Sequence, residues 1–338
     1  MKFFWRTILN IWFIWIGFSG FANARAVLDA TQEAQFIQKY ALKYHLSEDY
    51  IKSALNQAVF QPSSYNMQAA IYNAPSGMKG KSFAQYRRQF INPYGISAGE
   101  DFMCEYRDTL AQAETKYGVP SSVIIGIIGV ETSYGSFTGH YRVIDTLATL
   151  AFNSPRRIEF WQDELAKYLL MCYQYDLDVG DLRGAIDGGF GIGQFMPSAY
   201  LEFAVSAKGG NVAPNLMRAD DAIMSIANYL KQHGWKTGAP VAWQVKRIKN
   251  TCKLLDCDQK EVSYTLKTWQ KNGVIINKPF NPEFMADLIT FDGSYKDPAW
   301  LAFDNFYTIF SYNHSPKYAM AVYQLGTIIT NNVAHFGC

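Results

Sequence analysis

Apolar side chains recur at helical spacing over residues 30–55 and again over residues 102–117. Residues three and four apart share one face of a helix, so each stretch presents an apolar stripe that must be buried against a neighbour. A looser segment that contains Pro62, Pro75 and several glycines separates the two stretches. We therefore predict a helical N-terminal domain over residues 27–117.

The most regular patterning lies in residues 118–235. Residues 123–130 are apolar or glycine on every side, which predicts a helix buried within a core. Farther along, Asp220 or Asp221 can cap a helix that Gly234 would end. This part of the chain is predicted to form one compact helical core.

Residues 236–302 change character. Here β-prone pieces at residues 241–245, 261–266 and 274–276 alternate with Gly, Pro and Asn. Short strands joined by turns have this composition. We predict a small strand-rich subdomain over this range.

The pattern is helical again over residues 303–338. Ser315-Pro316 predicts the start of a last helix that runs through Leu325. We expect this segment to pack back on the core and on the N-terminal helical domain. The fold class predicted from the whole pattern is α+β and mainly α-helical.

Residues 1–26 have the features of a secretory signal peptide. Lys2 and Arg6 precede an apolar run over residues 8–21, and small residues follow at the spacing of a cleavage site. An uncleaved membrane anchor is the alternative, but the run is short for a bilayer span. No cysteine follows it to carry a lipid. We expect a periplasmic protein with no stable membrane anchor after cleavage.

The charge balance argues against one class of partner. The chain holds 31 basic and 29 acidic residues, and removal of residues 1–26 with Lys2, Arg6 and Arg25 would leave 28 and 29. Proteins dedicated to nucleic acid are usually basic, so no nucleic-acid partner is expected. Aromatic residues reach 16%, an excess that belongs in part to the core and can in part supply stacking surface for flat ligands such as sugar rings or bases. We expect a monomer.

The cysteines follow the predicted signal peptide, at Cys104, Cys172, Cys252, Cys257 and Cys338. Cys252 and Cys257 are close enough for a small-loop disulfide, which an oxidising compartment permits. The odd total leaves at least one thiol unpaired within the chain. There is no C-x-x-C pair and the five histidines are scattered, so neither a metal site nor a cofactor is predicted.

Glu131 ends the apolar run of the core and is followed by a small polar turn. A carboxylate half-buried against apolar neighbours is disfavoured in its charged form, so its pKa should rise. A raised pKa would keep Glu131 protonated, as a general acid for glycosidic cleavage must be. The alternative is a carboxylate that caps a helix end or forms a salt bridge there.

Residues 188–193 contain four glycines, and Gln194 and Phe195 follow them. Glycines let the backbone approach a ligand closely. A phosphate-binding loop would need Lys and Ser or Thr after the glycines, and neither is present. Gln194 can hydrogen-bond a sugar on which Phe195 packs. A tight chain crossing with Phe195 in the core is the alternative.

Ser154-Pro155 predicts a helix start, with Ser154 as the cap and Arg156 and Arg157 in the first turn. Two cations at the positive end of a helix are unfavourable unless an anion binds nearby. The arginine pair is therefore a candidate anion site. A solvated pair on the surface is the alternative.

Two other motifs give weaker signals. Tyr312 and Asn313 offer a stacking face and a bidentate amide, although a turn with a cap explains them as well. Residues 95–99 fit the G-x-S-x-G nucleophile pattern around Ser97. That motif needs a strand before a strained turn, and Pro93 interrupts the approach, so Ser97 is not predicted to be a nucleophile.

Together these segments resemble the lytic murein transglycosylases of the MltB type (glycoside hydrolase family 103), which have a lysozyme-like core. The matching stretches are residues 118–120, 125–132, 145–150, 154–157, 191–198, 227–230, 233–235, 312–315 and 318–322. They follow the family order over nearly the whole mature chain, which is more specific than any single match.

The resemblance implies a role for each candidate residue. Glu131 stands where the family has its single catalytic acid and base. The family lines its sugar groove at the positions of Gln194, Phe195, Tyr312 and Asn313. Tyr86 looks like an aromatic residue of the same groove. Arg156 and Arg157 stand where the family contacts the stem peptide. The implied partners are the glycan strands and stem peptides of peptidoglycan.

The implied reaction needs one carboxyl group. Glu131 would protonate the oxygen between N-acetylmuramic acid and N-acetylglucosamine while the substrate's acetamido group stabilises the sugar cation. Glu131 would then accept the proton of the muramic 6-hydroxyl, which attacks the same carbon. The product would be a 1,6-anhydro end.

The sequence departs from the family pattern in two places. Ala185 stands where members usually have Ser, and Asp187 stands where they usually have a small neutral residue. Some members also hold calcium in an acidic loop, whereas residues 206–211 contain no carboxylate here. Calcium needs several hard oxygen ligands, so no calcium is predicted there.

Two alternative functions follow from the same residues. A lysozyme-like hydrolase would need a second carboxylate near Glu131, and Asp187 is the candidate. A catalytically weakened peptidoglycan-binding protein is favoured by Ala185 and Asp187 and opposed by the retention of Glu131.

Overall fold

The computed structural model describes residues 29–74, 80–210, 212–248, 250–291 and 298–338. The helices are α1 (Ala30–Tyr44), α2 (Glu48–Asn56), α3 (Pro62–Tyr72), α4 (Phe83–Arg87), α5 (Pro93–Glu105), α6 (Arg107–Tyr117), α7 (Ser121–Thr132), α8 (Val143–Asn153), α9 (Ile158–Gln174), α10 (Pro197–Phe203), α11 (Ala219–Gln232), α12 (Thr251–Leu254), α13 (Leu266–Lys271), α14 (Asp304–Asn313) and α15 (Pro316–Phe336). The predicted mainly helical α+β class is confirmed.

The strands form two antiparallel sheets. They are β1 (Tyr141–Arg142), β2 (Arg183–Gly184), β3 (Ala242–Arg247), β4 (Tyr264–Thr265), β5 (Val274–Ile275), β6 (Met285–Ile289) and β7 (Ala299–Ala302). Strands β1 and β2 pair with each other, and the other five pair in the order β4-β6-β7-β3-β5. The sequence pattern did not predict β6 and β7, which are buried and lack a polar alternation.

One large hydrophobic core runs from Phe36 in α1 to Ile329 in α15. A second, smaller core lies under the five-stranded sheet around Trp269, Leu288 and Leu301. Because the large core takes side chains from helices at both ends of the chain, the C-terminal helices pack on the helices of residues 118–235. The domain bounds at residues 117, 235 and 302 stay a prediction.

Helices α7 and α15 cross the core side by side in opposite directions. A Cβ atom on Gly126 would overlap the carbonyl of Val322, and one on Gly326 would overlap the carbonyl of Ser122. Only glycine allows two helix backbones to approach this closely. The last turn of α7 therefore lies beside the first turn of α15.

Two details of the helices differ from the sequence patterns. The last helix runs to Phe336, well beyond Leu325. Helix α11 begins at Ala219 with Arg218 as its cap, and the Asp221 side chain instead accepts hydrogen bonds from the backbone amides of Ala207 and Asn215, both at 2.7 Å. That carboxylate fastens the backbone at Ala207 and at Asn215, a long-range role that local spacing does not reveal.

The G-x-S-x-G stretch at residues 95–99 lies inside helix α5. A nucleophile of that motif needs a turn between a strand and a helix. The backbone around Ser97 is helical and does not form such a turn.

Four of the five cysteines are paired. Cys252 and Cys257 form the predicted small-loop disulfide, and Cys104 is joined to Cys338 across a sequence separation of 234 residues. Cys172 is the free, buried thiol, and burial raises its pKa to about 12. The second disulfide fixes the C-terminal end of α15 to α5.

The predicted signal peptide, residues 1–26, lies outside the described residues. Within the described ranges, no helix combines the length and apolar character that crossing a bilayer requires. The same ranges contain no group of three or more His, Cys, Asp or Glu side chains arranged to hold a metal ion.

Candidate active site

Glu131 stands in the last turn of α7, where the buried helix reaches the surface. The helix ends at Ser133 and Tyr134, both in the left-handed conformation, with φ of 47° and 61°. Thr132 Oγ1 donates a hydrogen bond to the carbonyl of Ile192 at 2.8 Å. This bond ties the end of α7, and with it Glu131, to the glycine-rich loop.

A single tyrosine hydroxyl holds the Glu131 carboxyl group. Tyr318, in the first turn of α15, is 1% exposed and donates a hydrogen bond to Oε1 at 2.6 Å. No described residue forms a hydrogen bond with the other oxygen. The close crossing of α7 and α15 at Gly126 and Gly326 is what brings these two side chains together.

Burial raises the pKa of Glu131 to about 7. The negative charge of Asp187 raises this pKa further, and the hydrogen bond from Tyr318 lowers it in part. A carboxyl group of this kind is mostly protonated at mildly acidic pH and about half protonated near pH 7. The pKa shift predicted from the apolar run is present, with burial as its main cause.

Three tyrosines from different elements surround Glu131. Burial and the Glu131 charge together raise the pKa values of Tyr86 on α4, Tyr312 on α14 and Tyr318 on α15. The rings of Tyr312 and Tyr318 are parallel, with centroids 6.3 Å apart. These neutral phenols place polar hydroxyl groups around the acid without adding charge of their own.

The glycine-rich loop is built around Gln194, which has a left-handed backbone with φ of 52°. Its Nε2 atom donates hydrogen bonds to the carbonyls of Thr138 at 3.1 Å and Gly191 at 2.8 Å. Gly193 accepts a 2.6 Å hydrogen bond from the Tyr312 hydroxyl, and a Cβ atom there would lie 3.0 Å from that oxygen. The loop is thereby fastened to α14, with Gln194 partly exposed beside it.

Phe195 is not placed to stack on a sugar. Its side chain is 3% exposed, and its ring packs edge-on against Tyr229 and Tyr312, with both centroids 6.1 Å away. The sequence predicted that Phe195 contacts a sugar directly. That prediction is corrected, because the buried ring instead supports Tyr229 and Tyr312 from the core side. The physical reason is the double backbone bridge of Phe195 with Phe190, which turns the ring inward.

Asn313 is the last residue of α14 and is exposed. Its neighbour Tyr312 is half-buried and points back to the loop. The structure thus separates the two residues that the sequence pattern treated as a pair: the tyrosine supports the site, and the amide is open to solvent.

The arginine pair lies just before α9 and not in its first turn. The helix begins at Ile158, and Arg157 is its cap residue with φ of 58°. Ser154 ends α8 and donates a 2.8 Å hydrogen bond to the carbonyl of Arg156, so its predicted capping of α9 is wrong. Both arginines are exposed, and the Arg157 guanidinium lies 3.9 Å from the Phe160 ring centroid.

Two site residues were missed by the sequence patterns. Tyr318 follows the Ser315 cap by three residues and is indistinguishable from a core aromatic in a helical pattern. Tyr229, on α11, donates a 3.0 Å hydrogen bond to the carbonyl of Ser311 and packs its ring 4.9 Å from that of Tyr312. Both lay within stretches that resemble the family, which was the available signal.

The arrangement has a definite chemical capacity. One carboxyl group of raised pKa stands in the last turn of a buried helix, hydrogen-bonded by one phenol and flanked by others. Such a group can donate a proton to a leaving oxygen and afterwards take one back. The described residues around it are phenols, amides and backbone groups, and the Asp187 carboxylate is close enough to raise its pKa.

Comparison with known proteins agrees with this geometry. Residues 29–327 match the family described as Transglycosylase SLT domain. The chain belongs to this family. The membrane-bound lytic murein transglycosylase B of Escherichia coli (strain K12) is 37% identical over 305 residues, covering 87% of this chain and 81% of that protein.

Solved structures of the family have the same fold. Catenated lytic transglycosylase SltB1 from Pseudomonas aeruginosa matches with a TM-score of 0.83 at 32% identity, over 90% of this chain and 98% of that one. SltB3 from the same organism, in complex with NAG-anhNAM-pentapeptide, matches with a TM-score of 0.75 at 25% identity, over 88% and 79%. The predicted lysozyme-like fold and lytic transglycosylase class are confirmed.

Tyr318→Phe tests the hydrogen bond to Glu131. Because the Tyr318 hydroxyl lowers the pKa of Glu131, its removal should move the alkaline limit of kcat/KM to higher pH. The rate at the optimum should fall roughly tenfold, the value of one hydrogen bond to a charged group. Tyr323→Phe, which removes a hydroxyl bound to the Ala242 carbonyl on the same helix, is the matched control. An unchanged pH profile would contradict the assignment.

Proposed function

We propose that this protein is a lytic transglycosylase that cuts the bond between N-acetylmuramic acid and N-acetylglucosamine and leaves a 1,6-anhydro end. The observation that carries the proposal is Glu131, a carboxyl group with a pKa of about 7 and with one oxygen that no described residue hydrogen-bonds. The family of the chain supports the class of reaction.

In the first step Glu131 acts as the acid. Its proton passes to the bridging oxygen, the bond from that oxygen to C1 breaks, and N-acetylglucosamine leaves as an alcohol. The carbonyl oxygen of the 2-acetamido group closes onto C1 and forms a bicyclic oxazolinium ion. Tyr318 stabilises the carboxylate that remains, because its hydroxyl donates to Oε1.

In the second step Glu131 acts as the base. The carboxylate takes the proton of the 6-hydroxyl, the 6-oxygen attacks C1, and the bond from C1 to the acetamido oxygen breaks. No water is consumed, and Glu131 returns to its protonated form. A single residue suffices because its pKa of about 7 suits both directions of proton transfer.

The remaining site residues bind the polymer. Gln194 and Asn313 offer amides to sugar hydroxyl and acetamido groups, and Tyr86 borders the groove near Glu131. We assign Phe195 and Tyr312 to the support of the groove wall. Arg156 and Arg157, exposed before α9, are proposed to bind stem-peptide carboxylates.

We propose that the enzyme acts in the periplasm, where peptidoglycan lies. The basic and apolar pattern of residues 1–26 supports export, and the relative from E. coli carries the name of a membrane-bound murein transglycosylase. The monomeric state stays a prediction.

Product analysis of digested peptidoglycan tests the reaction. Mass spectrometry of the released fragments should show anhydro ends, which are lighter than reducing ends by one water. Reducing ends as the main product would favour the lysozyme-like alternative, in which Asp187 would serve as a second carboxylate. Binding to peptidoglycan without any release of fragments would favour a catalytically weakened binding protein.

A further inference from the structure

The turn over residues 185–189 carries a single polar side chain. Its sequence is Ala-Ile-Asp-Gly-Gly, so Asp187 supplies all of its side-chain polar atoms. The amide of Ala185 donates to the carbonyl of Gly189 at 2.7 Å, and the amide of Gly188 donates to the carbonyl of Ala185 at 3.0 Å. These two bonds close the turn and leave Asp187 exposed on it.

One oxygen of Asp187 has a partner within the turn. Oδ1 accepts a 3.2 Å hydrogen bond from the Gly189 amide, which orients the carboxylate. Across the described part of the chain, no group donates to Oδ2 and no cation forms an ion pair with Asp187. The carboxylate therefore presents an uncompensated charge and an open acceptor.

The turn adjoins the loop that is fastened to the end of α7, beside Glu131. Gly189 packs against the backbone of Gln194, whose carbonyl oxygen would lie 3.2 Å from a Cβ atom there. The loop that contains Gln194 is joined to the end of α7 by the Thr132 hydroxyl. Asp187 is close enough for its charge to raise the pKa of Glu131.

We propose that Asp187 accepts a hydrogen bond from the N–H of the substrate's 2-acetamido group and stabilises the oxazolinium ion. This inference rests on the proposed function. When the acetamido oxygen closes onto C1, positive charge spreads over its nitrogen, and a fixed carboxylate beside the N–H stabilises that charge. The uncharged substrate gains less from the same contact, so Asp187 acts mainly on the transition state.

In this proposal the two carboxyl groups have different roles in the charge balance of the reaction. Before cleavage Glu131 is neutral and Asp187 is negative. After proton transfer both are negative and the cationic sugar lies between them. The negative charge of Asp187 also favours the protonated form of Glu131 that starts the reaction.

Asp187→Asn tests the proposal, because it removes the charge with little change in shape. We expect kcat to fall roughly 100-fold, in the range seen when one group that stabilises a developing charge is lost, with little change in KM. The alkaline limit of the rate should also move to lower pH. Asp181→Asn, an exposed aspartate before β2, is the matched control and should behave as the parent enzyme.

A second measurement separates charge stabilisation from a structural role. The probe is a 1,2-thiazoline derivative of an N-acetylated sugar, a stable analogue of the oxazolinium ion. Asp187→Asn should weaken the binding of the thiazoline by about the same factor by which it lowers kcat. The binding of an uncleaved glycan fragment is measured in the inactive Glu131→Gln variant, and adding Asp187→Asn to that variant should leave this affinity unchanged. Equal thiazoline affinity in parent and variant would overturn the proposal.

Product analysis distinguishes this failure from failure of the proposed function. If the parent enzyme yields anhydro ends and Asp187→Asn leaves kcat intact, only the inference about Asp187 is wrong. If Asp187→Asn removes reducing ends selectively, Asp187 activates water and the inference is overturned. If the parent enzyme yields no anhydro ends, the proposed function itself fails.

Discussion

Glu131→Gln will abolish cleavage and, at alkaline pH, make the protein more stable than its parent. The activity loss should reach at least about 10³-fold, because the variant loses general acid and base catalysis at once. The stability gain follows from burial. Glutamine keeps the shape and the hydrogen bond with Tyr318 but removes a carboxylate that the surroundings disfavour.

The sign and pH window of the gain follow from the pKa of Glu131. Folding raises that pKa from 4.5 to about 7, so the folded state holds the proton more tightly than the unfolded state. The contribution of Glu131 to the stability of the parent is therefore most favourable below pH 4.5 and declines as the pH rises to 7. Above pH 7 the folded parent carries a constant penalty of about 3 kcal/mol, which the variant lacks.

Denaturant unfolding of parent and variant at pH 4.5 and pH 8 measures this difference. We expect closely similar free energies of unfolding at pH 4.5 and a clear advantage of the variant at pH 8. The acidic measurement is the internal control, since packing changes caused by the substitution would appear at both values. An equal difference at both pH values would show that Glu131 is not desolvated.

Gly326→Ala will lower both stability and activity, although alanine is the better helix former. The intrinsic gain of alanine in a helix is about 1 kcal/mol. The new Cβ atom, however, would overlap the Ser122 carbonyl of α7, and overpacking of a rigid contact costs about 3 kcal/mol. The overlap outweighs the propensity, so the free energy of unfolding should fall by about 2 kcal/mol.

The activity loss in Gly326→Ala would come from Tyr318. Moving α15 away from α7 carries Tyr318 away from Glu131, so the alkaline limit of the rate should shift as it does in Tyr318→Phe. Gly80→Ala, at an open position with no heavy atom within 4 Å of the new Cβ, is the control. A variant with parental pH profile and stability would refute the claim that this contact sets the site.

The local sequence pattern was sufficient to predict the features that depend on neighbouring residues. The apolar stretch before Glu131 predicted both a buried helix and a raised pKa, since burial of that helix desolvates the residue at its end. The last helix was predicted to begin at the Ser315-Pro316 signal, and it does. These features depend on residues within a few positions of one another.

Some predictions failed where a local signal had two interpretations. Ser154-Pro155 looks like a helix start, but Ser154 ends the preceding helix and Arg157 takes the cap position. Phe195 follows a glycine-rich loop in either an exposed or a buried orientation. In the structure the backbone bridge between Phe195 and Phe190 sets the buried orientation of the ring.

The sequence by itself determined the helical class, the acid Glu131 and the loop expected near it, because apolar spacing and motif order record them directly. Only the tertiary structure decided which side chains meet Glu131. Tyr318 is 187 positions away along the chain and reaches it through the glycine contacts of α7 and α15. Asp187 lies near Glu131 because its turn packs beside the backbone of Gln194. Such contacts are set by packing between distant segments, and no local pattern encodes them.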